Sequence, residues 1–154
     1  MSDAKLHTYS LGAAGLNSYA AATLCSQAVT LSRAGNHVEA EKLHLRALNM
    51  RVECLGLDAE ETAVSRNLLG EEQLALGKLD EAEATIREAL RVRDICGTPF
   101  DTAVSRENLA QVFEARGQWD AAGEIRRSKL DQMTCASYTV SDSKMKYSAH
   151  RLIS

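Results

Sequence analysis

Proline is almost missing from this chain: Pro99 is the one instance in 154 residues, so nothing in the composition forbids long helices. Aromatic residues are scarce as well, with two phenylalanines, one tryptophan and four tyrosines, and runs of β-branched residues are few. Strands draw on those residue types, so an all-helical chain is expected. The four cysteines, Cys25, Cys54, Cys96 and Cys135, are too few and too widely spaced for a secreted disulfide framework, and no pair forms the C-x-x-C of a zinc or redox site. Reduced thiols are the expectation. No stretch approaches the roughly 18 consecutive apolar residues of a membrane span. Met1 to Tyr9 carries Asp3, Lys5 and His7 with no apolar run behind a basic region, so neither a secretory signal nor an anchor is expected, and the protein reads as soluble, intracellular and cytoplasmic. Excess positive charge is missing too. Eighteen basic residues stand against 21 acidic ones, a net charge of -3, and this excludes the counterion-displacing footprint of a nucleic-acid binder.

What is present is apolar content of 45% with a quarter of the chain charged, the balance of one folded domain and not of a disordered chain. An internal repeat organises it. Thr62-Ala63-Val64-Ser65-Arg66 recurs as Thr102-Ala103-Val104-Ser105-Arg106, a shift of 40 residues that also matches Leu69 with Leu109, Gly77 with Gly117, Asp80 with Asp120 and Ala82 with Ala122. In the other direction a shift of 42 matches Gly77 to Gly35, Glu81-Ala82-Glu83 to Glu39-Ala40-Glu41, and Ala89-Leu90 to Ala47-Leu48. The chain therefore holds three copies, the first spacing longer by two.

Each copy reads as two helices. Leu68, Leu69 and Leu74 form one apolar stripe; Leu79, Ala82, Ile86, Ala89 and Leu90 form the next, at steps of three and four. Gly35, Gly77 and Gly117 lie between the stripes, where a left-handed residue ends a helix and starts a hairpin. Small residues Ala28, Gly70 and Ala110 on the first helices, and Ala40, Ala82 and Ala122 on the second, let backbones approach. Asp58 with Glu61 matches a capping box, and Thr98-Pro99 supplies a cap and a first-turn proline. The spacing predicts helices over 18–34 and 37–55, 59–76 and 79–96, and 101–116 and 119–134. The repeat domain is set at 1–137, with repeats at 18–55, 59–96 and 101–134. Residues 138–154 form a tail in which Met145, Ala149, Leu152 and Ile153 fall at helical spacing. A capping helix, a disordered segment and contact with a second copy are all open for it.

The small-residue positions, the first-helix leucine, the hairpin glycine and the Asp/Glu-Ala opening the second helix resemble a tetratricopeptide repeat protein. The 40 to 42 residue period is that of the kinesin light chain type. The resemblance implies an all-α, right-handed superhelical array of three helix-turn-helix repeats, first helices lining an inner wall, with a C-terminal capping helix left open. Arg66 and Arg106 stand where a first-helix aromatic belongs, their stems expected to pack while their heads reach water. More narrowly, Thr102 to Arg116, Arg126-Arg127 and Met133 to Tyr138 resemble fungal repeat proteins that carry a MYND-type zinc finger. Cys135 sits at a first-ligand place, but Val140 replaces the second and no further cysteine comes after it. A tetrahedral site needs four ligands, so no zinc and no cofactor is expected.

Counting along the first helices away from the leucines places Cys25 and Val29, then Asn67, Glu71 and Leu74, then Glu107, Gln111 and Glu114 on the inner wall, with Asn108 beside them. Carboxamides at Asn67 and Asn108 suit an extended peptide backbone, and the glutamates favour basic or polar segments. The carboxylate clamp of some family members has no counterpart: the corresponding places hold Cys25, Val29, Leu68, Val104 and Asn108, without a cation. His7, His37, His44 and His150 show no metal or triad spacing, and no phosphate-binding, nucleophile-elbow or zinc-protease motif occurs, so no catalytic residue is assigned. His44, matching Ile86, reads as a packed histidine. The reading is a non-enzymatic module that binds a protein or peptide. Self-association as a homodimer or scaffold, and small-molecule binding or catalysis in the groove, are the alternatives.

Overall fold

A computed structural model describes the chain from 3 to 128, and its side chains at 15 and from 17 onward. The described residues form helices and no strand: α1 Asp3–Arg33, α2 His37–Leu55, α3 Glu60–Ala75, α4 Leu79–Cys96, α5 Pro99–Ala115 and α6 over 119–128. Each helix packs on the next in chain order from α1 to α5, and α3 also touches α5. This is the contact pattern of a helical repeat array, in which each hairpin is covered by its neighbours.

The hairpin turns form as their glycines require. Gly77 has φ +74, and Gly35 and Gly117 adopt the same left-handed geometry at φ +81 and +75, where a side chain would be strained. The first helix is longer than its apolar pattern: α1 begins at Asp3, not near residue 18. Ala13, Ala14 and Ala20 to Ala22 are strong helix formers, and Gly12 and Gly15, at about 1 kcal/mol each, do not outweigh them.

At the start of α3 the capping box does not form. Ala59 is the cap residue without a side-chain bond, and Asp58 instead accepts from Arg91 Nη2 at 2.6 Å. An ion pair across the α2–α3 loop to α4 has taken the carboxylate. At α5 the cap is as the sequence implies: Thr98 accepts the Asp101 N–H at 3.1 Å and Pro99 occupies the first turn.

Ala82 and Ile86 of α4 pack with Leu109 and Val112 of α5, joined by Leu74, Leu79, Leu90, Phe113 and Ile125. A second cluster joins Ala21, Cys25 and Ala47, with Leu24, Met50 and Leu68 against it. The small residues Ala28, Ala40, Ala82, Ala110 and Ala122 are fully buried, and Gly70 is so close to α4 that an added Cβ would lie 2.4 Å from Ile86 Cγ1.

Arg66 and Arg106 correct the expectation that their heads reach water. Arg66 is buried and its Nη1 donates to the Leu57 carbonyl at 2.7 Å; Arg106 Nη2 donates to Asp94 at 2.9 Å. Both guanidinium groups tie α3 or α5 back to the preceding loop or helix end, because the inter-repeat loops offer acceptors nearer than solvent. The end of the helix expected to 134, together with Cys135, Val140 and the tail at 138–154, lies outside the described residues. No helix among the described residues is long and apolar enough to cross a membrane.

Candidate functional site

The inner-wall positions repeat in register along the array. Cys25, Asn67 and Glu107 are equivalent, as are Val29, Glu71 and Gln111, and then Ser32, Leu74 and Glu114. Their environments differ because each first helix is covered by a different neighbouring hairpin.

At both repeat junctions an arginine near the end of a second helix reaches into the next first helix. Arg51 Nη1 donates to the Glu61 carbonyl and to Ser65 Oγ, each at 2.8 Å. Arg93 Nη1 donates to the Asp101 carbonyl at 3.0 Å and to Ser105 Oγ at 2.7 Å. Each arginine thus closes a bracket between adjacent hairpins. The duplicated Thr-Ala-Val-Ser-Arg segment supplies the serine acceptor, and the residue just before that segment supplies the carbonyl.

The bracket continues differently at the two junctions. At the first, Ser65 Oγ meets Cys25 Sγ at 3.9 Å, and Val29 lies one turn on, so the polar chain stops. At the second, Ser105 donates to Asn67 Oδ1 at 2.9 Å, and Asn67 Nδ2 donates to Glu71 Oε1 at 2.7 Å. Asn108 Nδ2 donates to the same oxygen at 2.6 Å. The result is a directional relay from the Arg93 guanidinium through Ser105 and Asn67 to the Glu71 carboxylate, with opposite charges at its ends.

Cys25, Asn67 and Asn108 are therefore largely buried between repeats: Asn67 is 3% exposed and Asn108 is 8% exposed. The Asn67 amide is engaged by Ser105 and Glu71, and the Asn108 amide donates to Glu71 at the edge of an open hollow. Val29 and Leu74 are half-buried, and Leu74 joins the α4–α5 core. Burial pushes the Glu71 carboxyl above its ordinary range. The Asn108 hydrogen bond opposes this, the nearby Glu72 charge adds to it, and Arg93 and the Asn67 bond pull it back. Beside Glu71 an open hollow of about 430 Å³ is lined by Glu71, Leu74, Ala75, Asn108 and Gln111, the last of them exposed.

The third repeat differs again. Arg126 of α6 donates to Glu107 at 2.7 and 2.8 Å and also to Glu114. Arg126 holds both carboxyls below the ordinary glutamate range, although partial burial of Glu107 works against it. These two acids thus share one cation from within the chain. Gln111 adds a longer contact of 3.4 Å to Glu107.

Two further braces were not legible in the sequence. His37 Nδ1 lies 2.8 Å from Glu72 Oε2, joining the start of α2 to α3 across 35 residues. Arg87 and Arg116 both lie over the Phe113 ring, 5.8 and 5.9 Å from its centre, and Arg116 also binds Asp80 and Glu83. The arginine brackets did carry a signal: Arg51 and Arg93 share one register, as do Ser65 and Ser105. His44 is buried, as its match to Ile86 implies, and its Nδ1 has no hydrogen-bond partner among the described residues. Among the described residues no three His, Cys, Asp or Glu side chains are grouped to hold a metal.

Comparison with known proteins agrees with this architecture. No curated protein matches the chain. The tetratricopeptide repeat family profile matches residues 19–95, half of the chain, which spans the first two hairpins; the third hairpin continues their geometry. Repeats of this family generally mediate protein–protein interaction and are typically not enzymes. From its repeat period, its hairpin geometry and this match, the chain belongs to the tetratricopeptide repeat family.

Proposed function

We propose that this chain is a non-enzymatic adaptor of the long-period, kinesin light chain type, taking a segment of a partner protein along the face formed by α1, α3 and α5. The observation that carries this reading is the hollow beside Glu71. It lies on α3 and α5, next to side chains held by a relay of hydrogen bonds, so its walls are set before anything binds. Preorganised walls spare a ligand the ordering cost of the site. The face changes character along its length. Val29 begins it, Glu71 and Leu74 stand in the middle, and the Arg126-bound glutamates close it. An extended segment with a basic or polar centre complements this order. Free Cys25, Cys54 and Cys96 fit an intracellular, cytoplasmic setting.

The test is a peptide array or affinity capture with Ala75→Arg and Gln111→Arg variants, both at exposed residues lining the hollow. These substitutions fill the hollow and leave the buried amides of Asn67 and Asn108 intact. Loss of captured peptides with unchanged helicity supports the groove; unchanged capture by both variants rejects it.

Self-association is a second reading, favoured by Trp119. It is 68% exposed and lines, with Phe113 and Gly117, a second hollow of about 390 Å³ at the α5–α6 turn. Its equivalent in the second repeat, Leu79, is packed against the core. Light scattering on the Trp119→Glu variant tests this: a protein that is monomeric with and without the change removes the reading.

A further inference from the structure

We propose that Glu71 is the receptor for one lysine side chain of the partner, with the ammonium group on its carboxylate and the aliphatic stem along Leu74 and Ala75. This rests on the groove reading above and names what the groove recognises.

Three observations converge on a cation. Glu71 is half-buried, and its partners are two neutral carboxamides; among the described residues it makes no ion pair. Arg93 is linked to it only through Ser105 and Asn67, and a partly dehydrated carboxylate without a direct ion pair is a costly arrangement unless something else completes it. The other acids on this face, Glu107 and Glu114, already share Arg126, so a cation arriving there competes with an internal guanidinium, whereas Glu71 has no direct ion pair among the described residues. Finally, at the equivalent position the first repeat has Val29 and the third has Gln111, so neither neighbouring repeat offers a competing anion there.

The geometry selects lysine over arginine. Asn67 and Asn108 both donate to Oε1, at 2.7 and 2.6 Å, which orients the carboxylate and leaves Oε2 without a partner among the described residues. A guanidinium group gains most from two parallel bonds to both carboxylate oxygens, and here one of them is already taken. A lysine ammonium is a point charge that needs one strong acceptor. Its four-carbon stem matches the apolar wall of Leu74 and Ala75, and the Gln111 side chain at the rim offers a second acceptor.

The experiment uses n-butylammonium, n-butanol and n-propylguanidinium as probes, read by the side-chain amide NMR signals of Asn67, Asn108 and Gln111 in the full chain. Butylammonium should shift these signals at about 10 mM, the range open to so small a ligand. Butanol should not, and propylguanidinium should act more weakly. Glu71→Gln keeps the acceptor for both asparagines and should fold normally while weakening butylammonium binding about tenfold, the order of one charge-assisted hydrogen bond. An equal response to butanol, or undiminished binding by Glu71→Gln, overturns the proposal. A peptide library with lysine or norleucine fixed at its centre separates this result from the groove reading. If Ala75→Arg abolishes capture while Glu71→Gln keeps the lysine preference, the groove stands and the lysine receptor falls. If Ala75→Arg leaves capture unchanged, the groove itself falls and the receptor falls with it.

Discussion

At position 70 the absence of one methyl group decides how closely two helices lie. Gly70 faces Ile86, whereas the equivalent pairs in the other repeats are Ala28 with His44 and Ala110 with Arg126. Gly70→Ala should destabilise the protein: overpacking costs about 1–3 kcal/mol, and the helix propensity gained, about 1 kcal/mol, offsets only part of it. A urea melt of Gly70→Ala checks this, and Ile86→Ala in the same chain should make the added methyl neutral or favourable. His44 makes a different prediction. Burial lowers its pKa from 6.5, Glu72 working against this and Arg51 with it, so the unfolded chain takes up the proton first as pH falls. Stability from this residue is complete above pH 6.5 and is lost as pH drops from there through the lowered folded value. His44→Leu should flatten that part of the stability–pH curve, as measured by thermal melts between neutral and mildly acid pH.

Between elements the arginine brackets are the main polar joints. Removing Arg93 by Arg93→Ala deletes two bonds from a charged donor, each worth about 1.5–3 kcal/mol at most, while Ser105 keeps Asn67 as a partner. The expected loss is therefore about 3–6 kcal/mol in a urea melt. Hydrogen exchange should accelerate first in α5, where the bracket lands. The α4–α5–α6 corner should also be acid-labile. Arg116 holds Glu83 below its ordinary range, and Arg126 does the same for Glu107 and Glu114. A carboxylate with a depressed folded pKa adds stability above its unfolded pKa near 4.5, and this is lost as pH falls through the folded value. Solvent screens these exposed pairs, so the effect is modest, and amide exchange in α6 at pH 3.5 against pH 7 is the measurement that resolves it. Glu71 runs the other way: its raised pKa means that ionisation costs stability as pH climbs above 4.5.

At the scale of the whole molecule, the array is a chain of neighbour contacts, and stability should track its interfaces one by one. A chain ended after Cys96 would keep α1 to α4 but strip the cover that Leu109, Val112 and Phe113 give to Ala82, Ile86 and Leu79. It should remain helical by circular dichroism, unfold at lower urea, and self-associate through the bared face as judged by light scattering. High salt should weaken the third hairpin more than the first. Arg126 of α6 pairs with acids of α5, and Arg116, just past α5, pairs with Asp80 and Glu83 of α4, whereas the Ala21, Cys25 and Ala47 cluster between α1 and α2 is apolar.

Helix type, the three hairpins, their left-handed glycines and the small residues at close approach were all determined by the sequence. Each depends on local conformational preference or on an apolar period that a repeat copies intact. Local reading failed where it relied on one side chain having a nearby partner. Asp58 caps nothing because α3 starts one residue later, with Ala59 at the cap position, and its carboxylate meets Arg91, 33 residues on. Asn67 and Asn108 have the right chemistry and the right helix face, yet the next repeat covers them, and helical periodicity does not encode how far a neighbour overlaps. The arrangement that leaves Glu71 without a direct ion pair among the described residues, with Glu107 and Glu114 sharing Arg126, was decided by tertiary structure alone. Charge pairing depends on distances between helices, and those are set only when the hairpins stack.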